Sequence, residues 1–212
     1  MNYIPLNVKT EYELLSSLIK IEQLCSYVKQ NNINAIGITD TNMFGTLEFI
    51  NACKKNNLKP IIGVPFDIES LNFILYAKNY NGYVALLNLT SLRNLGILET
   101  TDFSKFKSDL ICVTSNYENY NTLKETFDYV YLSYSTTEEK NNALKYTDKI
   151  VYMKEVRYIN ENDKDYLMYL EMIKDGKTIT ERDNYKYDNH MERTINESDA
   201  LTTTNFASLI NI

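Results

Sequence analysis

The chain has 212 residues, with 28 Asp and Glu against 22 Lys and Arg, and its formal net charge is -6. This length suits a single compact domain, and a hydrophobic content of 44% is enough to build a core. The acidic surplus disfavours a chain that grips nucleic acid by itself, because phosphate binding needs clustered Lys and Arg. No stretch approaches the roughly 20 apolar residues of a membrane span, and no basic-then-apolar leader opens the chain. The sequence therefore predicts a cytoplasmic protein with no membrane partner.

Cysteine and histidine are too scarce for the common metal sites. The single His190 lies in a polar segment and cannot form a His cluster. The three cysteines, Cys25, Cys53 and Cys112, are widely spaced and form no CxxC pair. Neither a disulfide framework nor a thiolate zinc site is predicted, and each cysteine is interpreted as a small buried apolar residue. We therefore expect no cofactor.

Short apolar strands alternate with amphipathic helices along the chain. The predicted strands lie at 4–8, 35–39, 61–66, 71–77, 110–114, 129–132 and 150–153. After the first strand, a capping box of Thr10 and Glu13 is predicted to open a helix. Further helices are predicted at 44–55, 82–95, 120–126, 137–145 and 161–174. Residues 178–198 are polar and lack periodicity, and a helical pattern returns at 199–212. The alternation predicts an α/β sheet or barrel with mostly parallel strands.

Polar side chains follow the predicted strands at their carboxyl ends, where the reactive groups of parallel α/β folds collect. The residues at these ends are Asn7, Lys9, Asp40, Thr41, Val64, Pro65, Asn116, Glu155 and Arg157. A divalent metal needs several His or carboxylate ligands that converge, and the cations Lys9 and Arg157 would repel it. From the residues alone, the site is a polar rim without a metal and without an assigned catalytic residue.

Five motifs, in order and with conserved spacing, resemble the PHP (polymerase and histidinol phosphatase) domain that opens the bacterial replicative DNA polymerase III alpha subunit. The first motif, at 5–15, is PLNVKTEYELL and resembles the domain's HLHVHSEYSLL. The second, at 39–45, is TDTNMFG and resembles TDHGNMFG with one residue fewer, and the third, KPIIG at 59–63, matches outright. The last two are EVRY at 155–158, which resembles DVHY, and DGKT at 175–178, which resembles TGKT. The resemblance implies a distorted seven-stranded α/β barrel over residues 1–180. It also implies that residues 181–212 are a polar segment and a helix leading toward a polymerase palm.

The departures from the family pattern fall on its metal ligands. Metal-binding members carry His at the positions of Asn7, Lys9, Thr41 and Arg157, Glu at that of Pro65 and Cys at about that of Asn116, whereas Asp40 is kept and Glu155 replaces an Asp. The resemblance therefore implies that the trinuclear phosphoesterase site is degenerate. Asp40 is interpreted as the cap of the following helix in preference to a relic ligand or general base. Lys9 and Arg157 are expected to replace the metal charge by bonding to Asp40, Glu155 or nearby backbone oxygens.

Three hypotheses about function follow. The first is a non-catalytic scaffold and docking domain, whose partners are the rest of the alpha subunit and a proofreading or replisome subunit, with DNA reached only through the full-length protein. The second is a residual metal-dependent phosphoesterase or proofreading exonuclease with a reduced ligand set around Asp40. The third is an interaction module unrelated to replication. The motifs favour the first hypothesis over the third, and the lost ligands favour it over the second.

The polymerase reaction itself is not expected in this chain. Two-metal nucleotidyl transfer needs paired carboxylates in a palm sheet, and 212 residues that form a barrel leave no room for one. The full-length protein that the chain resembles is a DNA-directed DNA polymerase, so that activity would belong to the rest of such a protein.

Overall fold

Eight strands form one curled sheet in the computed structural model, which describes residues 3–184, 188–192 and 195–212. The strands are β1 (Asn7–Val8), β2 (Ala35–Ile38), β3 (Lys59–Ile68), β4 (Leu71–Ala77), β5 (Leu110–Thr114), β6 (Val130–Tyr134), β7 (Ile150–Tyr152) and β8 (Glu155–Val156). Their order across the sheet is β7-β6-β5-β4-β3-β2-β1-β8. Every neighbouring pair is parallel except β3 with β4 and β4 with β5, so the sheet is a mostly parallel half-barrel.

Eight α-helices accompany these strands in the described residues. They are α1 (Ile21–Gln30), α2 (Thr46–Asn56), α3 (Tyr80–Asn94), α4 (Thr100–Phe103), α5 (Tyr117–Thr126), α6 (Thr137–Ala143), α7 (Lys164–Lys174) and α8 (Glu197–Ser208). Every residue of β2 and of β5 is buried, as expected for strands that carry helices or side chains on both faces. Within the described part of the chain, no helix is long and apolar enough to cross a membrane.

The α/β architecture and the mostly parallel strands predicted from the sequence are confirmed. The sheet has eight strands where the resemblance implied seven, because the two-residue β8 pairs with β1 at one edge. The antiparallel β4 has a local cause: Glu69 and Ser70 form a two-residue turn after β3, and both have positive φ. Turns of this kind match the twist of two antiparallel strands and reverse the chain at once.

The helix predicted to start at Thr10 is wrong over its first half. Residues 11–20 are turns and irregular backbone, and α1 begins only at Ile21. Leu15 has a φ of 57°, a left-handed conformation that a helix cannot contain. The side chains of the supposed capping box are used elsewhere, because Thr10 and Glu13 bond to the loop that follows β2.

Helix α8 packs against the half-barrel where β1 and β3 begin and where β6 and β7 end, and it is called the floor of the half-barrel here. The amide of Ile4 donates to Oγ1 of Thr203 at 3.1 Å, and Nζ of Lys59 donates to a carbonyl oxygen of α8 at 2.7 Å. The ring of Phe206 meets that of Tyr76 edge-on, with the centroids 5.2 Å apart. The division of the chain at residue 180 stays a prediction, but the residues of α8 belong to the same core as the strands.

Candidate functional site

A cavity of about 490 Å³ opens at the carboxyl edge of the sheet. Its lining comes from the ends of several strands and the loops after them, and includes Asn7, Thr41, Pro65, Thr114 and Ser133. Parallel strands that end at one edge bring residues distant in sequence together, which is why this edge carries the candidate site. Asn7, Thr41 and Pro65 were among the residues predicted there, and the structure brings all three to this cavity.

Asp40 is buried beside this cavity and is bound by Thr10. Its two carboxylate oxygens accept hydrogen bonds from the amide of Thr10 at 2.7 Å and from Oγ1 of Thr10 at 2.6 Å. The interpretation of Asp40 as a helix cap is wrong, because the residue preceding α2 is Gly45 and no side chain caps that helix. Burial raises the pKa of Asp40 despite the two opposing bonds from Thr10. The carboxylate thus ties the loop after β2 to the loop after β1.

Lys9 is a buried cation, with 6% of its surface exposed. Its Nζ donates to the backbone oxygen of Thr39, at the end of the neighbouring strand. Burial lowers the pKa of Lys9, although the negative charges of Glu13, Glu155 and Asp40 act in the opposite direction. Within residues 3–184, 188–192 and 195–212, no carboxylate lies within ion-pair distance of its Nζ. The ammonium is therefore stabilised by the Thr39 carbonyl and by the negative charges of the nearby carboxylates.

Glu13 and Arg93 fix the loop that contains Thr41. The Glu13 carboxylate accepts from the amide of Thr41 at 2.6 Å and from its Oγ1 at 2.9 Å. The Arg93 guanidinium donates to the carbonyl oxygens of Thr41 and of Pro65, the latter at 2.8 Å. Burial lowers the pKa of Arg93, and Glu13 opposes that shift. Both charged groups act as braces for backbone at the mouth of the cavity.

Arg157 turns toward helix α7. Its Nε donates to Oε1 of Glu155 at 2.6 Å, and its Nη1 donates to Oε1 of Glu171 on α7. All three side chains are between 17% and 31% exposed, so water still reaches the cluster. Arg157 therefore joins β8 to α7, and it is not paired with Asp40.

The remaining predicted positions have structural contacts. Oδ1 of Asn7 accepts from Oγ1 of Thr39 at 2.5 Å, so its amide belongs to the same network as Lys9. Asn116 caps α5, since its Oδ1 accepts from the amide of Glu118 at 2.9 Å. Asn116 itself does not line the cavity, although the preceding Thr114 and Ser115 do.

The residues present do not fit a multinuclear metal centre. Within the described parts of the chain, no group of three or more His, Cys, Asp and Glu side chains is placed to hold a metal ion. The acidic groups are already engaged: Asp40 by Thr10, Glu13 by Thr41 and Glu155 by Arg157. Lys9 adds a fixed positive charge at the point where cations would have to converge.

Sequence reasoning missed four residues that build the site. Thr10 and Glu13 lie inside the first quoted motif, but they matched a capping box and were not considered as site residues. Arg93 and Glu171 lie on helices, far in sequence from any strand end. Arg93 carried one usable signal, since it is one of four arginines in a chain whose cations are mostly lysine.

Comparisons with known proteins agree with the motifs. The family model described as "PHP domain" matches residues 5–200. DNA polymerase III subunit alpha of Ureaplasma parvum is 32% identical over 174 residues, which cover 81% of this chain and 16% of that protein. The corresponding subunit of Staphylococcus aureus strain N315 is 30% identical over 184 residues, covering 82% of this chain and 17% of that protein. The chain thus spans about one sixth of the length of these curated relatives.

A solved structure from Bifidobacterium adolescentis, assigned as a metal-dependent phosphoesterase, aligns with 96% of this chain and 64% of its own length. Its identity is 9% and the TM-score is 0.36, so this likeness adds nothing to the assignment. The family match stands on the sequence, because it covers nearly the whole chain and includes every motif quoted above. The chain belongs to the PHP domain family.

Proposed function

We propose that this chain is the N-terminal PHP domain of a DNA polymerase III alpha subunit and that it is inactive as a phosphoesterase. Its relatives are alpha subunits, which supports a place in DNA replication. Its role in such a protein would be that of a scaffold for the remainder of the alpha subunit and a docking surface for a proofreading or replisome subunit. DNA would be contacted only by the full-length protein, in the cytoplasm.

The observation that carries the proposal is the position of Lys9. A buried ammonium bonded to the Thr39 carbonyl occupies a position where metal-binding relatives are expected to have a histidine. An ion-binding centre needs negative or neutral ligands at such a point, and a fixed cation raises the cost of bringing a divalent ion nearby. We propose that Lys9 supplies internally part of the positive charge that metals supply in active members.

Arg157 supports the same proposal at a second former ligand position. Its guanidinium bonds to Glu155 and Glu171, which takes Glu155 away from any ligand set. The two cations thus serve two neighbouring clusters, one around Asp40 and one against α7. In this proposal the degenerate centre keeps a structural role, because it still joins the loops after β1 and β2 to each other.

The test is an assay of the purified chain for hydrolysis of a phosphomonoester and of a labelled DNA 3′ end, with zinc, manganese or iron added. We expect rates equal to those of the buffer blank and no stoichiometric metal by elemental analysis. The matched variants are Asp40→Ala, inside the centre, and Asp67→Ala, which removes a carboxylate that lines the cavity. Metal-dependent hydrolysis that Asp40→Ala abolishes and Asp67→Ala preserves would overturn the proposal and establish the phosphoesterase alternative.

A further inference from the structure

Two cysteine sulfurs face each other between helices α1 and α2. Sγ of Cys25 on α1 lies 3.9 Å from Sγ of Cys53 on α2, and neither side chain has exposed surface. We propose that Cys25 and Cys53 form a modification site, a dithiol that a hydroperoxide converts into an internal disulfide joining α1 to α2. This proposal is independent of the proposed function, because neither cysteine touches the Asp40 centre.

The geometry brings the pair within a short movement of bonding. A disulfide has an S–S length of about 2.05 Å, so the sulfurs must approach each other by about 1.9 Å. Rotation of both side chains can share that movement, since the sulfurs already lie in contact across the helix pair. Cys112 provides the contrast, because it is equally buried on β5 and, among the described residues, contacts no other cysteine sulfur.

The contact between the two thiols also supplies a nucleophile, and either sulfur can be the donor in it. With Cys53 as the donor, the hydrogen bond lowers the pKa of the Cys25 thiol, and that bond and burial raise the pKa of Cys53. In this arrangement Cys25 is the nucleophile, since the thiolate is the reactive form. Its thiolate attacks one peroxide oxygen, the O–O bond breaks, and the leaving oxygen takes up a proton to give water or an alcohol. The product on Cys25 is a sulfenic acid.

The second step closes the bridge. The sulfur of Cys53 attacks the sulfenic sulfur, the S–O bond breaks, and the departing hydroxyl leaves as water with the proton of the Cys53 thiol. In sum, two thiols lose two electrons and two protons, and the hydroperoxide accepts them. No further reductant or oxidant is required.

A groove of about 750 Å³ between α1 and α2 gives a small oxidant its approach. Ser26 and Ala52, the sequence neighbours of Cys25 and Cys53, both line this groove. A modest separation of the two helices would open the sulfurs to a peroxide-sized molecule. The bridge would then tie together the two helices that continue from the loops around Thr10 and Asp40.

The experiment treats the native chain with hydrogen peroxide, removes the excess with catalase and alkylates the remaining thiols in denaturant. Intact mass and peptide mapping should show the loss of two hydrogen atoms, a peptide linking Cys25 to Cys53, and full alkylation of Cys112. The melting temperature should rise by about 5–10 °C, because the link restricts the unfolded chain, and dithiothreitol should reverse the rise.

The control variants separate this pair from general oxidation. Cys25→Ser and Cys53→Ser should each abolish the linked peptide and the rise in melting temperature, whereas Cys112→Ser should preserve both. The proposal is overturned if Cys25 and Cys53 stay fully alkylated after peroxide treatment. It is equally overturned if they become linked only in urea, or no faster than Cys112 is oxidised, since either result means that unfolding exposes them. Peptide mapping of the peroxide-treated chain without substitutions decides the question even if a variant fails to fold.

Discussion

Replacing Lys9 with alanine is expected to lower the free energy of unfolding by about 3 kcal/mol. The side chain is buried, and the substitution removes three methylene groups that each contribute about 0.8 kcal/mol to packing. The truncation also leaves the Thr39 carbonyl without its donor and Asp40 without a stabilising positive charge. Relief of the burial cost of the ammonium offsets part of these losses. For a domain of this size, the melting temperature should fall by about 6–12 °C.

The assay is thermal unfolding followed by circular dichroism, with three matched samples. Lys9→Met keeps most of the side-chain volume and removes only the charge and the donor, so it should cost about 1 kcal/mol. Lys20 is an exposed residue just before α1, and its side chain makes no capping hydrogen bond. Lys20→Ala should therefore leave the melting temperature unchanged. Added zinc or manganese should leave the melting temperature of the unsubstituted chain unchanged.

Two results would refute this reasoning about Lys9. If Lys9→Ala melts within about 2 °C of the unsubstituted chain, the ammonium and its stem contribute nothing to the centre. If zinc instead raises the melting temperature of the unsubstituted chain by several degrees, the donor set accepts a metal despite the buried cation.

The floor helix α8 gives two further predictions. Burial alone would raise the pKa of Asp199, but hydrogen bonds from Lys140, Tyr134 and Asn196 outweigh it and lower that pKa. Asp199→Asn should therefore lower the free energy of unfolding by about 2 kcal/mol at pH 7. The difference in melting temperature from the unsubstituted chain should shrink as the pH falls below about 4, because a carboxyl group with a lowered pKa stabilises the fold only while it is ionised. A difference that stays constant between pH 7 and pH 3 would contradict this. Phe206→Ala should cost about 3–5 kcal/mol in urea denaturation, because it empties a buried ring site in the floor, and an unchanged midpoint would mean that α8 does not complete the core.

The sequence predicted the buried strands of the sheet well. The strand at 110–114 has the observed bounds of β5, and 35–39 differs from β2 by one residue. These runs are apolar on both faces, and few structures other than a covered parallel strand bury such a run. The prediction failed where side chains bond across the molecule, because the Thr10 and Glu13 pattern has the same spacing in a capping box as in a loop brace.

The candidate site was predicted as a set of positions but not as a set of contacts. Strand ends located Asn7, Lys9, Asp40 and Thr41 at one edge, since strand order alone requires it. The hydrogen-bond partners of those residues depend on the distances between loops, and no local sequence pattern encodes such distances. Arg93 is the clearest case, because it reaches the site from the last turn of α3, a position that the periodicity assigns only to an exposed helix end.

The bond between Ile4 and Thr203 has a consequence for how the chain acquires its fold. The two residues are 199 positions apart, and their bond joins α8 to the segment that leads into β1. At a synthesis rate of roughly 5–20 residues per second, about 10–40 s pass between the appearance of one residue and of the other. During that time the apolar residues around β1 have been synthesised, but the helix that covers them, α8, has not. Contacts between such distant segments also slow folding itself, so the half-barrel is expected to close late, as the final event in building its own core.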